Sequence, residues 1–306
     1  MTTLTVFEWN AWDRFLITHV APTARPITVM PGGCIGPADL AVEAPMVHIN
    51  LSRPMTAFPD YFEWLETYAA AGTPVLNGYF GSIDKWAVQD ACELAGLPTV
   101  RAGRDGEGDE PLVIKARANH YGRYERRLPR ELIGDMEPPP WPYPERVHRL
   151  LRKDVPAEAW EDPRFAVERF IGNQAGKFMR CYVAGTYAAA AVSYSPDLVK
   201  EMDQRFCTEL FSTDCANLLP LASDDPLAVT YRLAQQMRVD FAALDLAVAE
   251  DGSVYPVDLN TTPIWGNETD LNPRLISELR TAFAKLIASG SQFRPEDNGS
   301  STQALC

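Results

Sequence analysis

Phe241-Ala-Ala-Leu-Asp-Leu-Ala-Val-Ala-Glu-Asp-Gly-Ser-Val-Tyr-Pro-Val-Asp-Leu-Asn-Thr-Thr-Pro263 is the stretch on which the reading of this chain turns. Two apolar runs flank Asp251-Gly252, a pair that accepts the positive φ a tight hairpin turn demands. A two-residue turn there pairs Glu250 with Ser253 and sets Asp245 directly opposite Asp258. Side chains alternate along a strand, so Asn260 shares the face of Asp258. Two opposed carboxylates repel, burial raises that cost, and a bound cation removes it. Three oxygen ligands on one rigid face suit Mg²⁺, which takes few protein carboxylates and completes its octahedron with water and phosphate oxygens. A solvated acidic hairpin with one ion-paired Asp is the competing reading and stands level with the first on this stretch alone. Pro256 marks where a bulge would shift the register.

Composition narrows the field. At 306 residues the chain can bury a large core and is expected to form two or three packed subdomains. Its 46% apolar and 10% aromatic content is that of a globular protein. A net charge of −13 argues against nucleic acid or an anionic membrane as the main partner, since both need clustered Lys and Arg. A local basic pocket for phosphate remains compatible with it. No stretch approaches the length of a membrane-spanning helix, and the N-terminus lacks a basic region followed by an apolar one, so a cytoplasmic location is expected. Cys34, Cys92, Cys181, Cys207, Cys215 and Cys306 form no C-x-x-C pair, and His19, His48, His120 and His148 show no ligand spacing. Reduced thiols are expected rather than zinc or a disulfide framework.

Leu4–Trp9, Pro26–Met30, Met46–Leu51 and Thr73–Leu76 read as strands, and Asp60–Ala71 as an amphipathic helix, which together predict an α/β unit with a largely parallel sheet. Ser82 is placed to cap a helix running from Ile83 to Ala95, with Gly96 at its left-handed end. Pro111–Ala116 reads as a strand, and residues 129–164, rich in Pro and charge, as irregular or extended chain. Strands follow at 165–171, 178–184 and 186–194, helices at 225–238 and 273–288, and a tail from Gly290 expected to be disordered.

Lys115 ends an apolar strand, where it must snorkel to water or meet an anion. Lys85 sits in a helix's first turn, where its charge opposes the dipole. Arg180, inside Phe178-Met-Arg-Cys-Tyr-Val183, needs a carboxylate or phosphate if buried; an internal salt bridge to Asp245 or Glu168 is the plain reading. Arg117, His120 and Arg123, around Gly122, suit either a loop closing over phosphates or an ordinary basic turn.

The order of these signals resembles the ATP-grasp superfamily, and most closely its carboxylate–amine branch of ribosomal-protein glutamate ligases. Val75-Leu-Asn77, Ser82-Ile-Asp-Lys85, Ala95-Gly-Leu-Pro98 and Pro111-Leu-Val-Ile-Lys115 look like the segments carrying two ATP lysines. Val167-Glu-Arg-Phe-Ile171 is similar to the adenine hinge, Gly176-Lys-Phe-Met-Arg-Cys-Tyr-Val-Ala-Gly185 to the strand pair that follows, and Val257-Asp-Leu-Asn-Thr-Thr-Pro263 to the metal strand. The likeness spans about residues 73 to 288. It implies an ATP-grasp architecture, α/β and α+β, with a pre-ATP-grasp subdomain at 1–80, a central subdomain at 81–164, a C-terminal one at 165–289 and a tail at 290–306. By the same resemblance Lys85 and Lys115 hold the α- and β-phosphates of ATP, and Glu168, Arg169, Phe170 and Ile171 line the adenine pocket. Arg180 faces the γ-phosphate and the acyl-phosphate made from it. Asp245, Asp258 and Asn260 bind Mg²⁺ (or Mn²⁺).

Four departures stand out. Phe178 replaces the branch's usual Asp, Asp258 its more common Glu, the loop after Lys115 has one glycine where several are usual, and residues 195–212 match poorly. The implied activity is amide formation from a small-molecule or peptide carboxylate and an amine, with release of ADP and phosphate. Nucleic acid and membrane are not among the implied partners; homo-oligomers are common among such ligases. A kinase phosphorylating a small molecule, or a non-catalytic nucleotide-binding protein, would keep the same nucleotide half. Arg53 and Trp265 are candidate substrate contacts.

Overall fold

The computed structural model describes residues 2–10, 15–34, 42–137, 148–173, 176–194, 209–215, 225–263 and 273–294. In the first sheet β1 (Leu4–Glu8) lies between β2 (Arg25–Thr28) and β3 (Ala44–Val47), all parallel. Parallel neighbours need a crossover, and α1 (Phe15–Val20) lies on the one from β1 to β2. After α2 (Pro54–Ala57), α3 (Tyr61–Ala70) buries Tyr61, Trp64, Leu65 and Tyr68, one stripe at helical spacing. Thr73–Leu76 is not the strand expected: it makes one parallel bridge, Met46 to Leu76. Pro74 has no N–H to give a ladder, and Asn77, at φ 51, turns the chain away.

The second sheet is antiparallel, with β4 (Pro111–Ala116) between β5 (His148–Leu151) and β6 (Phe165–Arg169). The described residues within 129–164 are more ordered than their composition predicts. They contain α5 (Arg130–Ile133), β5 and α6 (Ala157–Glu161), with Pro129 and Pro156 immediately preceding the two helices, where a missing N–H costs nothing. Most of the proline run at 137–144 falls outside the described residues.

The third sheet has the order β11-β10-β7-β8-β9, built from β7 (Lys177–Ala184), β8 (Tyr187–Tyr194), β9 (Glu209–Asp214), β10 (Phe241–Val248) and β11 (Val254–Asn260). Strand β9 was not foreseen. Neighbouring strands of this sheet are antiparallel throughout, so side chains alternate between two faces except at a bulge in β11. Met179, Cys181, Val183, Ala242, Leu244 and Leu246 pack with α4 (Lys85–Leu94) and α7 (Pro226–Gln236). On the other face, Tyr182, Ala184, Phe241 and Ala243 pack with α8 (Pro273–Ser289) and the first sheet. That second cover stops short of Arg180 and Asp245, which leaves their end of the face open.

The tail begins packed rather than disordered. Phe293 is buried in the cluster that holds Trp64 and Tyr79, an anchor one aromatic side chain is enough to provide. Residues 295–306 lie outside the described set. Among the described residues no helix is long and apolar enough to cross a membrane, and Cys34, Cys92, Cys181 and Cys215 form no disulfide with one another.

Candidate functional site

The hairpin closes differently from the two-residue turn expected, yet puts the same residues face to face. Ala249 N donates to Ser253 O at 2.9 Å and Gly252 N to Ala249 O at 3.0 Å, so Glu250, Asp251 and Gly252 form a three-residue loop. Gly252 takes φ 88, the left-handed position such loops require. The ladder runs Val248–Val254, Ala247–Tyr255 and Leu246–Pro256, then slips, and Asp245 pairs with Asp258. Val257 is the extra residue of a bulge. Two one-residue offsets therefore cancel. The bulge also decides what Asp258 faces: Val254 lies in the apolar cluster, and unbroken alternation would turn Asp258 inward with it. Instead Leu259 goes inward, and Asp258 points to the open face, 35% exposed.

On that face three strands set charged residues in register. Arg180 of β7 is opposite Asp245 of β10, and Asp245 is opposite Asp258 of β11. Arg180 Nη1 donates to Asp245 Oδ1 at 2.9 Å and Oδ2 at 3.1 Å, and its Nε to the Tyr182 hydroxyl at 3.2 Å. Burial opposes the guanidinium's charge, but Asp245 and Tyr182 outweigh it and raise the Arg180 pKa. The internal salt bridge expected as the plain reading of Arg180 is present.

Lys85 reaches Asp258 from α4. Asp84, not Ser82, caps this helix: its Oδ1 accepts from Trp86 N and Ala87 N, both at 3.0 Å. Ser82 instead steadies the cap, donating from Oγ to Asp84 Oδ2 at 3.0 Å. Arg117 grips Asp84 with two bonds of 3.1 Å, and Arg53 adds another at 3.1 Å. Burial pushes the Asp84 carboxyl up, yet Arg117, the Ala87 N–H and Arg53 together hold it below its ordinary value. Arg53, a candidate substrate contact, is thus committed to the cap; Trp265 lies outside the described residues. With the helix start fixed, Lys85 Nζ donates to Asn119 Oδ1 at 2.6 Å and forms an ion pair with Asp258.

The second sheet contributes Lys115 and Glu168, on the face of β4 and β6 away from the Leu112–Val167 cluster. Lys115 Nζ lies 2.6 Å from Glu168 Oε2 and donates to Val257 O at 2.9 Å. Three side chains so cover the outer edge of β11: Gln89 on Pro256 O, Lys115 on Val257 O and Asn119 on Leu259 O. Of the other residues expected to line the adenine pocket, Arg169 N donates to Val100 O at 2.6 Å and Phe170 N to Pro111 O at 3.0 Å. Arg149 lies over the Phe170 ring at 4.0 Å, and Ile171 is half-buried.

The loop after Lys115, read from sequence as one closing over phosphates or an ordinary basic turn, brings His120 to Asn260 instead. Asn260 Nδ2 meets His120 Nε2 at 3.1 Å, while Asn260 Oδ1 accepts from Thr262 N at 2.8 Å and Thr262 Oγ1 at 3.0 Å. Burial holds the His120 imidazole down at about 4, with Asp258 pulling the other way, so the ring is neutral near pH 7 and accepts at Nε2.

A divalent cation fits this donor set in part. Asp245 and Asp258 present opposed carboxylates on an open face, while Asn260 offers its oxygen only once the Thr262 hydroxyl swings aside. Among the described residues no three His, Cys, Asp or Glu side chains converge as a metal cluster. Two carboxylates and an amide suit Mg²⁺ with phosphate oxygens better than a closed protein cage.

No family profile and no curated protein matches the sequence. Solved structures do match the fold. The chain is similar to the ATP-grasp ligase PsnB complexed with minimal precursor, Mg and ADP (TM-score 0.54, 16% identity, 94% of this chain and 99% of that one). It is also similar to the VanG D-Ala:D-Ser ligase of Enterococcus faecalis (0.53, 12%, 94% and 98%) and to D-alanyl-alanine synthetase A of Vibrio cholerae (0.52, 11%, 94% and 98%). Matching these ligases along nearly the whole of both chains, the protein has the ATP-grasp fold.

Proposed function

We propose that the protein is an ATP-dependent carboxylate–amine ligase whose nucleotide site is the open face around Asp245 and Asp258. One observation carries this: three cations from three different elements, Lys85, Lys115 and Arg180, converge on this region. Each is paired with a carboxylate, Asp258, Glu168 and Asp245 in turn. Such a set is charge-balanced without ligand and suited to exchange. Phosphate oxygens take over the lysines and the arginine, and divalent cations take over the two aspartates. Asp258 and the Arg180–Asp245 pair are partly solvated and lose little on exchange, whereas the more buried Lys115–Glu168 pair needs the incoming phosphate to replace the charge it gives up.

In this reading Lys85 and Lys115 hold the α- and β-phosphates, and Glu168 to Ile171 border the adenine. Asp245, Asp258 and Asn260 hold Mg²⁺, which when bound neutralises the triphosphate and aligns it for in-line attack. Arg180 stabilises the charge on the transferred phosphoryl group. A substrate carboxylate oxygen attacks the γ-phosphorus, the bond to the β-phosphate oxygen breaks, and ADP leaves. The amine nitrogen then attacks the acyl carbon and gives up a proton. The carbon–oxygen bond to phosphate breaks, leaving an amide and free phosphate. The subdomain limits 1–80, 81–164 and 165–289 belong to the same proposal, as does a small-molecule or peptide substrate. PsnB, among the similar structures, is complexed with precursor peptide, which supports including peptides.

The test supplies ATP, Mg²⁺ and a mixed pool of organic acids, amino acids and peptides, and follows products by mass spectrometry. The proposal expects ADP and phosphate only when both an acid and an amine are present, with a product lighter by one water than their sum. A phosphorylated product without free phosphate identifies a kinase instead; MgATP binding with no turnover identifies a non-catalytic nucleotide-binding protein.

A further inference from the structure

We infer that His120 is a positioning residue for Asn260, held in place by a left-handed turn that the chain adopts at a cost. His120 has φ 46 and ψ 38, and Tyr121 has φ 55 and ψ 28. With Gly122 at φ 66, three successive residues are left-handed. Only glycine adopts this conformation freely; for residues such as His and Tyr it persists where surrounding contacts over-determine it, commonly at functional sites.

The turn's effect is visible in what it aligns. Asn119 and His120 are consecutive, yet both reach β11: Asn119 Nδ2 donates to Leu259 O at 2.9 Å, and His120 Nε2 lies 3.1 Å from Asn260 Nδ2. Extended or right-handed backbone would point successive side chains apart. The other side of the Asn260 amide faces a fixed donor, the Thr262 N–H, 2.8 Å from Oδ1. A donor at one end and an acceptor at the other allow a single amide orientation. His120 and the Thr262 N–H together fix the amide with its nitrogen toward His120 and its oxygen toward Thr262, where that oxygen can serve the proposed cation site once the Thr262 hydroxyl turns away, and Tyr124, edge-on to the imidazole at 5.6 Å, holds the ring. The inference rests on the reading of Asn260 as part of the cation-binding set.

Three variants separate the turn from the contact. Tyr121→Gly relieves the turn and keeps His120; His120→Gly relieves the turn and removes the acceptor; His120→Gln keeps an acceptor of similar reach. The measurements are the Tm of the ligand-free protein, the extra Tm shift that Mg²⁺ adds to ADP, and the half-saturating Mg²⁺ for ADP formation. Tyr121→Gly should melt at or near the wild-type temperature, and His120→Gly, which also loses the imidazole's packing on Tyr124, somewhat lower but still cooperatively. Only His120→Gly should lose the Mg²⁺-dependent shift and raise half-saturating Mg²⁺ about 10- to 100-fold, the usual consequence of losing a partner that orients a metal ligand. His120→Gln should recover most of both. Identical Mg²⁺ dependence in the two glycine variants, or His120→Gln behaving like His120→Gly, overturns the inference. A wild type that responds to neither ADP nor Mg²⁺ refutes the nucleotide reading itself, and this inference with it.

Discussion

Two points along β10, its entry and its middle, handle charge in opposite ways. At its start, Asp240 and Asn77 are fully buried and locked to backbone. Asn77 Oδ1 accepts from Asp240 N and Phe241 N at 2.9 Å, its Nδ2 donates to Phe241 O at 2.7 Å, and its own N–H donates to Asp240 Oδ2 at 2.8 Å. The side-chain amide thus mimics one residue of a neighbouring strand and fastens the first unit to the third sheet. Five residues after Asp240, Asp245 meets Arg180 side chain to side chain, 15% and 21% exposed. Bonds to buried backbone have no solvent to exchange with. Partly open ion pairs do. The entry is built to hold and the middle to change partners.

The contrast is broken most severely at the closed entry. Asn77→Ala strands several buried backbone groups and should cost about 3–4 kcal/mol in urea unfolding; a loss below about 1 kcal/mol would mean the joint holds nothing. At the open face, Asp258→Asn should cut MgATP-dependent ADP formation by at least about 100-fold, roughly 2.7 kcal/mol of barrier. Its unfolding free energy should stay within about 1 kcal/mol of wild type, because the pair it weakens is partly solvated. Equal damage to fold and turnover would erase the distinction between the two points.

A smaller effect sharpens it. Burial pushes the Asp240 carboxyl up from 3.8 to about 6, despite bonds from Asn77 and Ser291 that favour its charge. The folded state then holds this proton more tightly than the unfolded chain, so stability from this group falls as pH rises from about 4 to about 6. The penalty is fully present above about 6 and absent below about 4. Asp240→Asn should therefore raise Tm at pH 7.5, by about 1–2 kcal/mol of stability once the imperfect amide fit is allowed for. The gap should close as pH falls toward 4. A gap that stays constant across that range would remove Asp240 titration as its cause.

How much of this was written in the sequence depends on the range of the interaction. Short-range patterns were legible: the stripe of α3, β4, the strand carrying Arg180, and the pairing of Asp245 with Asp258. That pairing came out right although the loop is one residue longer than Asp-Gly alone implies, because the bulge at Val257 restores the count. Thr73–Leu76 looked like a strand because its apolar residues are buried, but the joint 163 residues away at Asp240 decides its path. The cap at Asp84 was missed because two arginines, one of them 33 residues on, favour it over Ser82. His120 was visible only as part of a basic loop, since nothing local announces three left-handed residues in succession.

The central claim is that Lys85, Lys115, Arg180 and the facing aspartates exchange their mutual pairs for a nucleotide and its metal. Calorimetric titration of MgADP into wild type and Lys115→Ala tests it most directly. Saturable one-to-one binding by wild type, weakened about tenfold or more in the variant and dependent on Mg²⁺, is the predicted result. Absence of binding to wild type, or equal affinity in both proteins, would contradict the account.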